Sequence, residues 1–426
     1  MTQHLVRSIR LPQAIALYIT AVVGAGVLLL PGLSATEAGP ASVLAWGFDC
    51  LLGIPLALTF ATLASRYPNA GGVSTFTTRA FGLESGAAVG WFYFLASATG
   101  QIIVPLTGAS YVAAALGFGR EGTFLLAIAM LILATGANLR GLQVSGKLAL
   151  ALSAGVVLML VAATLVALPR MRASNWIPFA PHGFAAIGQV SVLIFYAFFG
   201  WEAIAQLSAE FEHPERDLRR STWWSVGLIT ILYLGVAVTT VGTATYGTSA
   251  INRVSVAHLL SDSLGGGAGT TAAAMAFVIS LGTTNAYMAA TSRLGYALAR
   301  DGAFPAWLKP LDHHGVPIPS VLLVSGYALV GFVLAYFCGW NADTLLFIPN
   351  SLGIATFIVG TAAGVRLLKG KSRWLAATSC LLCLVVFVFA GASVLLPAVV
   401  ALMAVVYLRL HAGRKQNREE PMRSAV

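Results

Sequence analysis

The sequence predicts an all-α membrane protein that crosses the bilayer twelve times. Three observations carry this. Only 9% of its 426 residues are charged and 58% are hydrophobic, whereas a soluble domain carries about 25% charged residues. Apolar stretches of about 18 residues or more, long enough to cross the hydrocarbon layer as helix, recur from end to end. The basic residues alternate between loops in a way that sorts them onto one side. The short alternating segments of a β-barrel are missing from the sequence.

The spans fall at about 12–36, 41–65, 86–117, 123–138, 148–168, 185–208, 222–246, 269–298, 319–338, 343–366, 374–391 and 393–410. Together they make one transmembrane domain, 1–410, grouped as spans one to five (about 12–168), six to ten (about 185–366) and eleven and twelve (about 374–410), followed by a cytoplasmic tail, 411–426. Of the 25 Lys and Arg, 21 lie on one set of loops, and only Arg120, Arg170, Arg172 and Arg253 lie on the other. The excess of Lys and Arg in cytoplasmic loops places both termini in the cytoplasm. It also accounts for the formal net charge of +10 without nucleic acid. MTQHLVRSIRLPQ reads as a retained N-terminus, not a cleaved signal. Residues 247–268 form an outer loop with an amphipathic helix.

Three motifs invite chemistry that their context does not support. Cys380 and Cys383 form a CxxC, but inside an apolar helix they read as two small apolar side chains. GLQVSGKL (Gly141 to Leu148) approaches a phosphate loop, yet Leu148 replaces the magnesium-binding hydroxyl and no strand precedes it. His313 and His314 beside Asp312 lack metal-ligand spacing. No cofactor or metal is assigned. The two GxxxG patterns, Gly86/Gly90 and Gly360/Gly364, predict close helix packing.

Two spans are interrupted. The first carries Gly24, Gly26 and Pro31; the sixth carries Gly200 beside Glu202. Unsatisfied backbone in lipid costs several kcal/mol per group, so such breaks must line a cavity or meet protein. Spans one and six are equivalent if five helices are followed by five more of inverted orientation. Paired breaks at equivalent positions mark a transporter's midplane site, with helix N-terminal amides for an anionic group and opened carbonyls for a cationic one. An α-amino acid zwitterion suits both.

At this point the sequence resembles the amino acid–polyamine–organocation superfamily. GAGVLLLPG (24–32), RYPNAGGVSTFTTRAFG (66–82), FYAFFGWEAIAQLSAEFEHPERDLRRS (195–221) and SRLGYALARDGAFPAWL (292–308) match its motifs in order, and the chain is most similar to bacterial methionine and branched-chain amino acid exporters. The resemblance implies the LeuT-like fold, a bacterial inner-membrane location, and a set of roles. Gly24, Ala25 and Gly26 offer amides to the substrate carboxylate, and carbonyls around Tyr196, Ala197 and Phe199 receive the ammonium. The Tyr196 ring is an aromatic gate, Gln101 a polar site-facing group, and Tyr287 a distal gate. Asn285, Asn350 and Ser351 are further polar candidates. The lysine that some proton-coupled relatives carry within span five is missing; Lys147 lies at its cytoplasmic edge.

Glu202 and Asp49 are the acids within spans. Such groups are costly and face the bundle interior. Glu202 is read as a protonatable latch on the opened sixth span, used for coupling or gating. Asp49 is read as the partner of an outer polar group. The acids Glu210, Glu212, Glu215 and Asp217 face Arg216, Arg219 and Arg220 in one cytoplasmic loop, where ion pairs at an inner gate are one use. With no second charge beside Glu202, the site suits neutral, apolar side chains: methionine, leucine, isoleucine and valine. The expected activity is proton-coupled export by alternating access, with membrane lipid and protons as partners, in a monomer or homodimer. Uptake or exchange on the same fold, or an uncoupled permease, are the alternatives. No constellation of enzyme residues is present in the sequence.

Overall fold

The computed structural model describes residues 11–67, 72–141, 146–202 and 214–423, and no strand occurs among them. The first span is split into α1 (Leu11–Val22) and α2 (Ala25–Ala38). Then come α3 (Ser42–Arg66), α4 (Gly72–Phe81), α5 (Leu83–Leu116), α6 (Arg120–Leu139) and α7 (Gly146–Ala167). The sixth span opens as α8 (Ala185–Ile194) and a 3-10 turn, Phe195–Phe198. It is followed by α9 (Pro214–Gly242), the short α10 (Ser249–Asn252) and α11 (Ser255–Leu264), and α12 (Gly266–Arg300). The chain ends with α13 (Ile318–Phe337), α14 (Ala342–Leu345), α15 (Phe347–Leu367), α16 (Lys371–Val388) and α17 (Leu395–Arg423).

Ten stretches among the described residues are long and apolar enough to cross a membrane, and one of them, Ala25–Arg66, holds both α2 and α3. The shorter apolar helices α1 and α8 lie before the two interruptions.

The helices α5, α3 and α15 are buried over most of their surface, and α5 packs most extensively against α12. The outer helices α6, α13, α16 and α17 turn Leu133, Phe337, Val388 and Leu402 outward. Glycines set the spacing. A Cβ at Gly90 would run into Leu298 of α12, one at Gly360 into Val73 and Phe60, and one at Gly364 would lie 3.0 Å from Ala376. Both GxxxG patterns therefore sit at tight helix contacts.

Loop contacts join segments distant in sequence. Thr36 bonds Asn252, Ala41 bonds Phe179, Arg172 bonds Gly242, and Arg120 reaches Asn341 and the carbonyls of Ala335 and Trp340. Arg409 pairs with Glu84 at 3.0 Å, and the Trp91 indole donates to the Ala303 carbonyl.

Two segments differ from expectation. The loop after span two contains α4, whose buried Val73, Phe76, Thr77 and Ala80 follow helical spacing. The tail predicted as a solvated extension is helical to Arg423, in keeping with the strong helix propensity of its Arg, Lys, Gln and Glu. Residues 142–145 of the phosphate-loop-like motif, and Glu210 and Glu212 of the acidic loop, lie outside the described residues.

Candidate substrate site at the paired helix breaks

The first break lies where α1 stops at Val22. Val23 and Gly24 leave the helix, Gly24 at φ −100°, ψ −143°, and α2 starts at Ala25 without a side-chain cap. The Gly24 amide donates back to the Val22 carbonyl at 2.9 Å. Gly24 thus shapes the break, while Ala25 and Gly26, in the first turn of α2, hold amides with no intrahelical acceptor. That is the donor set a carboxylate needs.

The second break begins after the 3-10 turn. Phe199 is extended (φ −68°, ψ 141°), its amide reaching the Tyr196 carbonyl at 3.4 Å, and Gly200 takes φ +119°. That conformation is open to glycine and strained for other residues. Here Glu202 has its use. Its carboxylate accepts the Gly200 amide at 3.1 and 3.2 Å and the Tyr93 hydroxyl of α5 at 2.8 Å, in a position only 2% exposed. One acid closes the opened main chain and ties it to span three.

The two breaks touch. A Cβ on Gly26 would lie 2.9 Å from the Ala197 Cα, and one on Gly200 would lie 2.5 Å from the Ala21 carbonyl oxygen. Gly26 therefore sets the distance between the two backbones as well as offering an amide. Tyr233 of α9 reaches both sides, its hydroxyl 2.9 Å from the Val22 carbonyl and 2.8 Å from the Ala197 carbonyl.

The remaining candidates surround this junction. The Tyr196 hydroxyl lies by Gly100 of α5, 3.8 Å from where a Cβ would stand. Phe199 points into α15, where its ring occupies the space left by Gly353 and meets Phe357 at 5.5 Å between centroids. Gly24 faces Thr283 of α12. Gln101 is fully buried; its amide nitrogen faces the Thr284 carbonyl at 3.2 Å and its oxygen faces the Met288 amide at 3.0 Å. Its side chain is thereby engaged with the backbone of α12. Tyr287, one residue before Met288, is half-buried and within electrostatic reach of Tyr93, Tyr196 and Glu202. Asn350 donates to the Leu193 carbonyl at 3.3 Å at the end of α8, Asn285 accepts from Asn138 of α6 at 2.7 Å, and the buried Ser351 hydroxyl has no partner among the described residues.

Asp49 corrects an expectation. It is fully buried in α3, and neither carboxyl oxygen has a hydrogen-bond partner among the described residues, so it is not tied to an outer polar group. The pairings that sequence inspection missed are Tyr93 with Glu202 and Tyr233 with the two carbonyls. A clue was available for the first: a carboxylate buried in a membrane needs a donor at the same depth, and few hydroxyls qualify.

Comparison with known proteins identifies the family. The amino acid permease family profile matches residues 9–415. The chain is 35% identical over 421 residues to the uncharacterized amino acid permease YecA of Bacillus subtilis (strain 168), covering 98% of this chain and 99% of that one. It is 28% identical to the L-methionine/branched-chain amino acid exporter YjeH of Escherichia coli (strain K12), covering 89% and 91%. It is 26% identical to the gamma-aminobutyric acid permease of the same organism, covering 83% and 78%. A multi-pass helical chain with two touching helix breaks, matched over nearly its full length, belongs to the amino acid permease family.

Proposed function

We propose that this permease exports neutral, apolar amino acids, methionine, leucine, isoleucine and valine, from a bacterial cytoplasm by alternating access coupled to protons. The observation that carries the substrate class is the contact between the two breaks. Gly26 of the first break abuts Ala197 of the second, and in this reading the amides of Ala25 and Gly26 take the carboxylate and the carbonyls of Tyr196 and Ala197 the ammonium of one α-carbon. The lining nearby is aromatic and aliphatic, with Glu202 engaged by Tyr93 and the Gly200 amide. A cationic side chain would want an acid of its own, and an anionic one a basic group.

In this reading Tyr196 and Tyr287 are gates over the bound molecule, Phe199 is a wall, and Gln101 fixes span eight beside the site. Glu202 is the latch: a proton taken up by its carboxyl removes an acceptor site, loosens its hold on the Gly200 amide, and lets the opened sixth span move. Spans one to five and six to ten are the inverted halves that rock about this junction, with both termini in the cytoplasm. The exporter YjeH, covered over most of its length, supports outward transport, and the gradient fixes the direction, since alternating access is reversible.

Counterflow in proteoliposomes with an amino-acid panel tests the proposal. Exchange of labelled methionine against unlabelled methionine, leucine, isoleucine and valine is expected, and arginine and glutamate should not exchange. Exchange confined to charged amino acids would overturn the substrate class. Uphill movement under an imposed pH gradient separates coupled transport from an uncoupled permease.

A further inference from the structure

Arg120 opens α6 and Phe337 closes α13, and the Arg120 guanidinium donates to the Ala335 carbonyl at 2.8 Å, so these two helix ends lie together at one edge of the bundle. Tyr336, Phe337 and Trp340 gather there, as aromatic side chains do at the boundary of a bilayer. From this edge a groove of about 330 Å³ runs between the helices, along Phe124 and Ile128 of α6 and Phe332 and Tyr336 of α13. Its rims, Leu125 and Phe337, are 67% and 81% exposed, while Phe124 and Phe332 in its floor are buried. Glu121 lines its open end. From Glu121 to Ile128 a helix rises about 10 Å, which carries the groove from headgroup level into the hydrocarbon. The floor is fixed by ring contacts, Phe124 edge-on to Phe332 at 6.4 Å and to Tyr336 at 5.4 Å. The Arg120 guanidinium lies over both Phe124 (4.9 Å) and Tyr336 (5.8 Å) and also donates to Asn341 and the Trp340 carbonyl, so its donors are engaged. Glu121 is exposed; its carboxylate meets the Tyr336 hydroxyl at 3.4 Å and, among the described residues, no basic side chain. An apolar channel thus ends at one unmatched negative charge.

We propose that this groove binds a phospholipid with an ethanolamine headgroup, one acyl chain lying along Phe124, Ile128 and Phe332 and the ammonium donating to the Glu121 carboxylate. A primary ammonium brings N–H donors to that acceptor, and a hydrogen bond between opposite charges is stronger than a neutral one. Choline has no N–H, and the aromatic rings that could hold it by cation–π contact already lie under Arg120. A glycerol headgroup brings no cation, only the negative charge of its phosphate beside Glu121. None of the lining residues belongs to either helix break, so the proposal is independent of the transported substrate.

An acid in the first turn of a helix also favours the helix itself, so the assay must read lipid selectivity and not stability. Native mass spectrometry of the full chain, titrated with dioleoyl lipids carrying ethanolamine, choline or glycerol headgroups, does this. The ethanolamine lipid should bind about three to ten times more tightly than the other two, the effect of one hydrogen bond. Glu121→Gln should bring it down to the choline lipid, and Ile128→Trp, which fills the groove, should remove one bound lipid of every headgroup. A glycerol lipid held above the ethanolamine lipid would overturn the proposal, and so would an ethanolamine preference that survives Glu121→Gln. A protein dimer that Ile128→Trp dissociates would show that a second copy covers the groove, again overturning it. The native chain supplies a readout free of variant folding: an ethanolamine lipid with a photoreactive group on its acyl chain should label residues 124–128 and 332–337, and labelling confined to other segments would overturn the placement.

Discussion

Gly200→Ala should be among the most damaging single-methyl changes in this chain. Two costs act together. At φ +119° an alanine sits in a region natural to glycine, a strain of about 1–3 kcal/mol. Its Cβ would also stand 2.5 Å from the Ala21 carbonyl oxygen, 2.6 Å from the Ala21 carbonyl carbon and 3.0 Å from a Val22 methyl. Two of these three atoms are backbone and cannot swing aside, so the sixth span must back away from the first. Overpacking of this kind costs about 1–3 kcal/mol. The sum is roughly 2–6 kcal/mol, which for 426 residues lowers the melting midpoint by roughly 2–7 °C. The assay is thermal unfolding in detergent beside methionine binding at a temperature where both proteins are folded. Gly24→Ala is the internal control: φ there is −100° and the nearest atom to a new Cβ is a Thr283 methyl at an ordinary 3.4 Å, so a change within about 1 kcal/mol is expected. A Gly200→Ala protein that melts and binds like the native one would refute the claim that the two breaks touch through this glycine.

Three further outcomes follow from the same geometry. Glu202→Gln keeps an oxygen able to accept from Tyr93 but turns a nitrogen donor toward the Gly200 amide; the protein should fold, with a loss of about 1–3 kcal/mol, and transport should lose its pH dependence, whereas an unaltered pH profile would remove Glu202 from coupling. Asp49→Asn exchanges one unpartnered buried polar group for another and should leave the melting midpoint within a few degrees, equivalent to about 1 kcal/mol; a collapse of folding would mean that Asp49 holds a partner essential to the bundle. In the loop before α13, the Val316 amide at 2.8 Å, with the His314 amide at 2.9 Å, holds the exposed Asp312 carboxyl below the usual aspartate range. A lowered folded-state pKa stabilises this turn above the ordinary aspartate pKa and is lost as pH falls through the lowered one, so exchange of the His314 and Val316 amides should speed up only in that acid window, and Asp312→Asn should make their protection independent of pH.

Much of the architecture could be read from composition and spacing, because a bilayer forces long apolar helices and a charge bias at their ends. The breaks were legible for a related reason. Gly24, Gly26, Gly200 and Glu202 violate the pattern of an apolar span, and such violations concentrate at functional sites. The helix α4 was hidden because STFTTR looks like a polar loop, although Val73, Phe76 and Ala80 already show helical spacing. Gln101 was legible as a polar group inside span three, but not as one that would turn toward the Thr284 carbonyl and the Met288 amide. Its direction depends on which face of α5 meets α12, and that is decided by packing.

What no local pattern could supply is the source of the groups that satisfy an opened main chain. Each carbonyl or amide freed from a helix must find a partner, since water and lipid offer none in a packed interior. Here the partners arrive from distant spans. Tyr93, on α5, and the Gly200 amide meet on Glu202; Tyr233 serves Val22 and Ala197; Asn350 serves Leu193; and Tyr111 donates to the Leu28 carbonyl at 2.8 Å. The last lies close to Pro31, a residue that removes an amide from the ladder of α2. Apart from the Gly200 amide, which lies two residues from Glu202, these donors are separated from their acceptors by tens to hundreds of residues, so neither periodicity nor motif spacing encodes them. Such a break is therefore stable only as part of the assembled bundle. That is why removing a single hydroxyl from Tyr233 or Tyr93 should alter binding and motion more than its size suggests, while the apolar helices around them hold their shape.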